Sequence, residues 1–511
     1  MKVRYYLWSV LLVLACYACY EDKGNYDYEE INSFEVERIT TNQMSPYTVG
    51  DTVFAVPTLK FAVDSNENDL TYEWRLMGGR LIGKERELAY VADTVNDNYM
   101  PVFASLTVTN EKNGLRANAL CTFMVFKKNF QEGWMLLSER NGKAELNYLI
   151  WKTERQGDEE VHSFDEYPRV FQQENGVELG GKPLKLQEFW ALGSTSHMLL
   201  LQDGGLGPIC INSADYKKTI SVNEEFVDGR FPDGFRPVDA VYGITNDVLL
   251  NENGDLYLKK RNNPAAYYTG RFPDYPIYFE KGLKISKLVS MASLWNVEFK
   301  LMFDDKNKRY LALTNSNEII NLYHDPVPGC SNLYDMGDVE IIFCEAFQEQ
   351  RGNTASFFSI YRNNDDGKYY MQKFNVQISG SVQTVTLLYD KEFPGQDLIN
   401  GNSEFRITRD QRQYLFFSGG AGNNCLYCYI FDAGGAMVYP LYDYEGRRIV
   451  KIFTTNEQRA KLGVALSDGK FCLMDASFES IGTGSRLLCE TGKEYGKIVD
   501  VIYKFIQYGS N

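Results

Sequence analysis

A polar, glycine-rich turn between two apolar runs returns seven times after residue 130, and this recurrence constrains the fold more than composition does. The clearest copy is Ser418-Gly-Gly-Ala-Gly-Asn-Asn-Cys425, with Tyr414–Phe417 leading in and Cys425–Phe431 leading out. Gly and Asn tolerate the positive φ of a tight turn, and aromatic and β-branched residues suit a pleated strand, so each copy predicts a β-hairpin. The other six turns are Arg140-Asn-Gly142, Asp203-Gly-Gly205, Asn251–Gly254, Asp304–Asn307, Asn363–Gly367 and Ser467-Asp-Gly469. Turn centres lie about 46 to 63 residues apart, about 54 on average, which suits one four-stranded blade per repeat. The reading is a seven-bladed β-propeller over residues 129–511; the competing reading is a row of unrelated hairpins.

A blade is an antiparallel meander with strand A innermost and D outermost. In the sixth unit, Tyr414–Phe417 is read as B, Cys425–Phe431 as C and Met437–Tyr442 as D, and Ile449–Phe453 as A of the next blade. Antiparallel parity puts the B–C turn and the D-to-A connector on one face. The connectors are expected to carry the aromatic-proline pairs Tyr167-Pro168, Phe231-Pro232, Phe272-Pro273, Phe393-Pro394 and Tyr439-Pro440. Two of them are near duplicates, Arg230-Phe-Pro-Asp233 and Arg271-Phe-Pro-Asp274, the second preceded by Tyr267-Tyr268 and followed by Tyr275-Pro-Ile-Tyr278. Flat aromatic faces beside short polar groups are what a sugar needs, so Arg230, Asp233, Tyr268, Arg271, Asp274 and Tyr275 are candidate ligand contacts. The alternative is that each pair forms a rigid corner, with Arg and Asp pairing locally.

The first part of the chain reads differently. Lys2 and Arg4 precede an apolar run, Tyr5–Leu14, too short to span a bilayer, which meets Ala15-Cys16-Tyr17-Ala18-Cys19. This predicts a lipoprotein signal over residues 1–18. Cys16 fits the apolar-small-Cys rule, but Cys19 is followed by the acidic start Tyr20-Glu-Asp-Lys23 and is taken as the lipidated residue. The alternative is a plain cleaved signal. A triacylated cysteine holds a protein on a membrane, whereas a single chain is marginal. Residues 19–30 read as an acidic tether, and 31–128 as a β-sandwich of short alternating strands. In that sandwich Leu70–Trp74 places Tyr72 and Trp74 on one face. Phe103–Asn110, the turn Glu111–Gly114 and Ala119–Phe126 form a hairpin.

Composition agrees with an all-β chain: 14% of residues are aromatic, 42 are Gly, and no long helical periodicity occurs. A net charge of −15 repels a phosphate backbone, so no nucleic-acid partner is expected. Beyond Cys16 and Cys19, eight cysteines are scattered, several within apolar strands, and read as small buried hydrophobes. Cys425 and Cys428 alternate in facing and have no second C-x-x-C, so no metal is expected. Asn251-x-Asn253-Gly-Asp255 and Asn363–Asp366 lack the glutamate that completes a calcium loop and read as turns. His162, His197 and His324 lie far apart without ligand spacing, and no hydrolase, phosphate-loop or dinucleotide motif occurs. No catalytic residue or cofactor is therefore assigned. Trp190 and Trp295 precede second strands, either packing the core or flanking the channel. Paired carboxylates among 68 acidic residues stay open as an alternative chemistry.

The Cys19–Asp27 start, together with Tyr72-x-Trp74 and the hairpin after Phe103, resembles the PKD-like family lipoproteins of Bacteroidota. Met77-Gly-Gly79 replaces the family's usual Gly-Asp-Gly. The resemblance covers the first quarter of the chain. It implies an immunoglobulin-like PKD-type domain on an outer-membrane, surface-exposed, palmitate-bearing lipoprotein that serves polysaccharide uptake. The leading expectation is a non-enzymatic accessory that binds glycan or glycoprotein. The alternatives are a module docking on an outer-membrane transporter or neighbouring lipoprotein, and a carbohydrate-active propeller enzyme.

Overall fold

The computed structural model describes residues 31–505 apart from 43–45, 49–50, 94–100, 127–131, 158, 193, 195, 293–297, 348–353, 380–381, 409–413, 432–436, 456–459 and 484–486. The expected signal, tether, Cys16, Cys19 and Trp295 lie outside the described residues. The described chain forms two compact units, which divide between Val125 and Phe126.

The first unit is a β-sandwich. One sheet pairs Phe34–Thr41, Thr52–Phe61 and Leu88–Val91; the other orders Leu81–Gly83, Leu70–Leu76, Val102–Asn110 and Arg116–Phe123. Alternation drives it: Tyr72, Trp74 and Leu76 are buried, while Thr71 and Glu73 are exposed and Arg75 is half-buried. Trp74 is fully buried, and its indole N–H donates to the Glu85 carbonyl at 3.0 Å, so the large ring leaves no unsatisfied donor. The expected second hairpin strand begins earlier, at Arg116, and the ladder ends at Phe123. Met77-Gly-Gly79 is an exposed turn in which both glycines take positive φ.

The second unit is the seven-bladed propeller. Its sheets carry innermost strands Lys182–Phe189 (blade 2), Pro237–Tyr242 (blade 3), Ile285–Ala292 (blade 4), Val339–Phe347 (blade 5), Phe405–Ile407 (blade 6) and Ile449–Thr454 (blade 7). Blade 1 takes its innermost strand from the far end of the chain, where Lys497–Lys504 pairs antiparallel with Gly133–Arg140. That strand touches the innermost strands of blades 2 and 7, and each remaining innermost strand touches the next, so the ring is closed. All seven sequence-predicted turns join strands B and C of their blades. Blade 3 has three strands, Pro237–Tyr242, Asn246–Asn251 and Leu256–Lys260. Where a fourth would run, an irregular segment leads to blade 4 and attaches through Ile277 N–H to the Leu256 carbonyl at 2.7 Å.

Apolar faces fill the spaces between blades. Between blades 5 and 6, for example, Phe358, Phe393, Phe405, Phe417 and Tyr429 are all buried. Polar side chains cross every junction as well. Asp500 accepts from Leu186 N–H at 2.8 Å (blades 1 and 2), and Lys185 pairs with Asp239 at 2.5 Å (2 and 3). The Lys300 ammonium donates to the Asn246 carbonyl at 3.0 Å (3 and 4), and Lys287 to the Ile342 carbonyl at 3.4 Å (4 and 5). Arg406 pairs with Glu345 at 2.5 Å (5 and 6) and lies 4.0 Å over the Phe453 ring (6 and 7). Lys451 pairs with Asp500 at 3.4 Å (7 and 1).

One expectation is corrected, and one alternative fits the packing. Tyr439-Pro440 is not a connector: it lies within the outermost strand Met437–Asp443, opposite Cys428 and Tyr427. An edge strand tolerates a proline because its outward side needs no N–H donor, and a register shift marks the place. Phe272 and Phe393 are fully buried, so these two pairs are packed corners. The eight described cysteines are free thiols, with Cys210, Cys428 and Cys472 in the core.

Candidate functional site

The duplicated connectors meet. After the last strand of blade 2, a 3-10 turn Val222–Glu225 is closed by a capping box in which Ser221 N–H donates to Glu224 at 3.2 Å. It delivers Phe226 to the second connector: Phe272 N–H donates to the Glu225 carbonyl at 2.8 Å, and Val227 N–H to the Phe272 carbonyl at 3.0 Å. Phe231 and Phe272, the phenyl groups of the two Arg-Phe-Pro-Asp copies, sit 5.4 and 5.1 Å from the Phe226 ring. Arg230, Asp233, Arg271 and Asp274 are exposed, and among the described residues none of them forms an ion pair, contrary to the local-pairing alternative. Tyr275 and Tyr278 beside them are 67% and 79% exposed, with Pro276 between them in sequence. Tyr268 is turned inward instead. Its hydroxyl lies 2.5 Å from His197 Nδ1 and 2.6 Å from Thr219 Oγ1, which leaves little of it for a ligand.

Beneath these connectors four charged groups are buried together. Lys259 binds Glu225 and, at 2.9 Å, Asp247, while Arg261 reaches Asp247 at 3.1 Å. The Tyr242 hydroxyl donates to Glu225 at 2.7 Å. Burial pushes the Glu225 carboxyl up, with Lys259 opposing. For Asp247 burial is outweighed by Arg261 and Lys259, so its pKa falls. The same surroundings hold His197 neutral: burial first, then the Arg261 charge, lower its pKa to about 3, and its ring stacks on Tyr267 at 3.7 Å. His324 is likewise structural, accepting from Leu333 N–H through Nε2 at 3.2 Å while Nδ1 faces the Asp325 carbonyl at 2.8 Å. Trp190 is buried and its carbonyl accepts from Arg261 at 3.1 Å.

A second polar constellation, unanticipated from the sequence, surrounds the propeller axis. Five innermost strands carry a charge immediately after a register shift: Lys185, Asp239, Lys287, Lys451 and Asp500. A bulge inserts one residue and re-aims the next side chain. Here it does so at equivalent depth, near the strand starts, on the face where connectors and B–C turns emerge. Glu404 precedes the sixth innermost strand, and its backbone N–H donates to Ser418 Oγ at 2.8 Å. Burial raises the Glu404 pKa against the charges of Lys451, Lys287 and Arg448, and Asp500 adds to the rise. These groups belong to blades 7, 4 and 1, so the ring converges on one space. The signal was present as Pro-Leu-Lys185, Pro-Val-Asp239, Ile-Ser-Lys287, Ile-Val-Lys451 and Ile-Val-Asp500. Each was indistinguishable from a solvent-facing charge in an edge strand.

A cavity of about 250 Å³ beside blade 1 is lined by Arg140, Lys143, Arg169 and Phe171. Its lysine is matched by Glu178 at 2.7 Å and Arg140 by Glu145 at 3.3 Å.

Residues 19–183 match the model of the PKD-like family, a span that takes in the sandwich and three of the four strands of the first blade. A comparison with curated proteins found no match. Among solved structures, the fission yeast SREBP–SCAP binding domains are similar at 10% identity and TM-score 0.32, covering 51% of this chain and 62% of that one, less than two thirds. An auxiliary nutrient binding protein from Bacteroides thetaiotaomicron is similar at 10% identity and TM-score 0.33, covering 86% and 96%. The Nup133 β-propeller domain of Vanderwaltozyma polyspora is similar at 10% identity and TM-score 0.34, covering 67% and 92%.

Proposed function

With a PKD-like family segment at residues 19–183 as the premise, we propose that this chain is a non-enzymatic accessory of nutrient uptake. In this reading it is held on the outer membrane by lipid on Cys19, and its propeller captures glycan or glycoprotein on the connector face. One observation carries the reading: two copies of Arg-Phe-Pro-Asp are seated against Phe226, leaving four charged side chains exposed and without ion pairs among the described residues, with the open rings of Tyr275 and Tyr278 directly following the second copy. Aromatic faces cover the apolar side of a sugar ring, and guanidinium and carboxylate groups bond its hydroxyls. The acidic net charge and the propeller platform suit a surface protein that passes ligand to an outer-membrane transporter or a neighbouring lipoprotein.

Affinity-gel electrophoresis on a polysaccharide panel tests the proposal. The expected result is retardation on at least one glycan, reduced at least tenfold in Arg271→Ala/Tyr275→Ala. Mobility unchanged across the panel refutes it, as does retention insensitive to both substitutions.

A further inference from the structure

The channel mouth holds more charge than its own ion pairs consume. Lys185 is matched by Asp239 at 2.5 Å, and Lys451 by Asp500 at 3.4 Å. Asp500 is further fixed by Leu186 N–H at 2.8 Å. Three charged groups are left over. Among the described residues the Lys287 ammonium has only the Ile342 carbonyl, at 3.4 Å. The Glu404 carboxylate accepts no hydrogen bond among the described residues; the residue is held to Ser418 through its backbone. Arg448, directly before the innermost strand of blade 7, is exposed. Its backbone is held to Ser467 at 2.8 and 3.2 Å, and its guanidinium makes no ion pair among the described residues. The three stand on blades 4, 6 and 7 at the starts of the innermost strands, and closure of the ring gathers Lys287 and Arg448, together with the Lys451–Asp500 pair, within electrostatic reach of Glu404.

Two cations and one carboxylate leave one net positive charge beside one vacant acceptor. A neutral sugar would leave that charge unmatched, and a bare carboxylate would leave Glu404 without a donor. We propose that the channel mouth binds a mono-anionic sugar acid, with Lys287 and Arg448 taking its carboxylate and Glu404 accepting from its hydroxyls. Arginine offers a planar fork of donors that matches a carboxylate, and lysine adds a point charge. An ionised glutamate is acceptor-only, which suits vicinal hydroxyls. The two matched pairs on either side hold the strands in place and keep the surrounding charge balanced. The sugar class rests on the glycan-capture reading above, but the residues are different, so each proposal can fail alone.

Isothermal titration calorimetry on the full-length chain in detergent, with sodium glucuronate as probe and glucose and sodium acetate as comparators, tests the site. Glucuronate is expected to bind at least tenfold more tightly than either comparator. Lys287→Met and Arg448→Gln are each expected to weaken it at least tenfold, and Lys287→Arg to retain most of it. Circular dichroism melts establish that each variant is folded. Absence of glucuronate binding overturns the proposal even where polysaccharide gels retain the protein. Equal affinities for glucuronate and glucose overturn it too, as does full affinity in folded Lys287→Met and Arg448→Gln.

Discussion

Replacing Lys259 with methionine separates charge from shape in the buried cluster of blade 3. Methionine keeps an unbranched apolar stem against Tyr242 and Phe272, whose ring centres lie 5.2 and 5.1 Å from the ammonium. What is lost is the cation between Glu225 and Asp247, all three side chains being fully buried. Asp247 retains Arg261 at 3.1 Å, but among the described residues the Glu225 carboxylate keeps only the Tyr242 hydroxyl at 2.7 Å. Removing one partner of a buried pair costs roughly 3–5 kcal/mol, because the other charge remains desolvated. The loss depends on pH with a definite sign. Burial already raises the Glu225 pKa, and the Lys259 charge is the main force opposing that rise, so its removal raises the pKa further. A carboxyl with a raised folded pKa binds its proton more tightly folded than unfolded, so stability falls as pH climbs from the ordinary carboxyl range through the raised value. The slope is at most about 1.4 kcal/mol per pH unit for one proton. Urea denaturation followed by tryptophan fluorescence should therefore show a larger deficit at pH 8 than at pH 5. Glu225→Gln/Lys259→Met should recover part of it. A deficit below about 1 kcal/mol, equal at both pH values, would refute the account of a charge-balanced network.

Other outcomes follow from single sites. Gly463→Ala should destabilise by about 1–3 kcal/mol in denaturant melts, since a Cβ there would lie 2.5 Å from the Phe471 ring and 2.6 Å from Trp134. Glu188, whose pKa burial raises to about 8, makes stability fall as pH rises from the ordinary carboxyl range to about 8. Glu188→Gln should flatten that part of a melting-temperature profile, and an unchanged slope would assign the dependence elsewhere. In a Gram-negative host, Cys19→Ser should abolish palmitate labelling of the chain while Cys16→Ser leaves it, as read by radiolabel on a gel.

Much of the architecture was legible because hairpins are local. A turn such as Asn141-Gly142 declares itself through φ of 53° and 75°, which its residue types tolerate without tertiary help. The connector residues were legible as a duplication, Arg230–Asp233 and Arg271–Asp274, but their seating on Phe226 was not. That seating depends on a backbone bridge between Phe226 and Phe272, which are distant in sequence. Tyr268 and Tyr439-Pro440 show the limit from the other side. Each has the composition of a surface connector, yet one turns its hydroxyl to His197 and the other continues an outer strand.

The sequence alone determined the blade period, the number of hairpins and the face shared by turns and connectors, because these depend on residue type within a few positions of one another. Tertiary structure decided what closes the ring and what the ring encloses. Lys497–Lys504 becomes the first blade's innermost strand only by pairing with Gly133–Arg140, more than 350 residues away. Lys287, Glu404 and Arg448 become one site only when the axis gathers blades 4, 6 and 7. A lone charge in a strand carries no record of which distant strand will face it. The closed geometry of seven sheets supplies that partner.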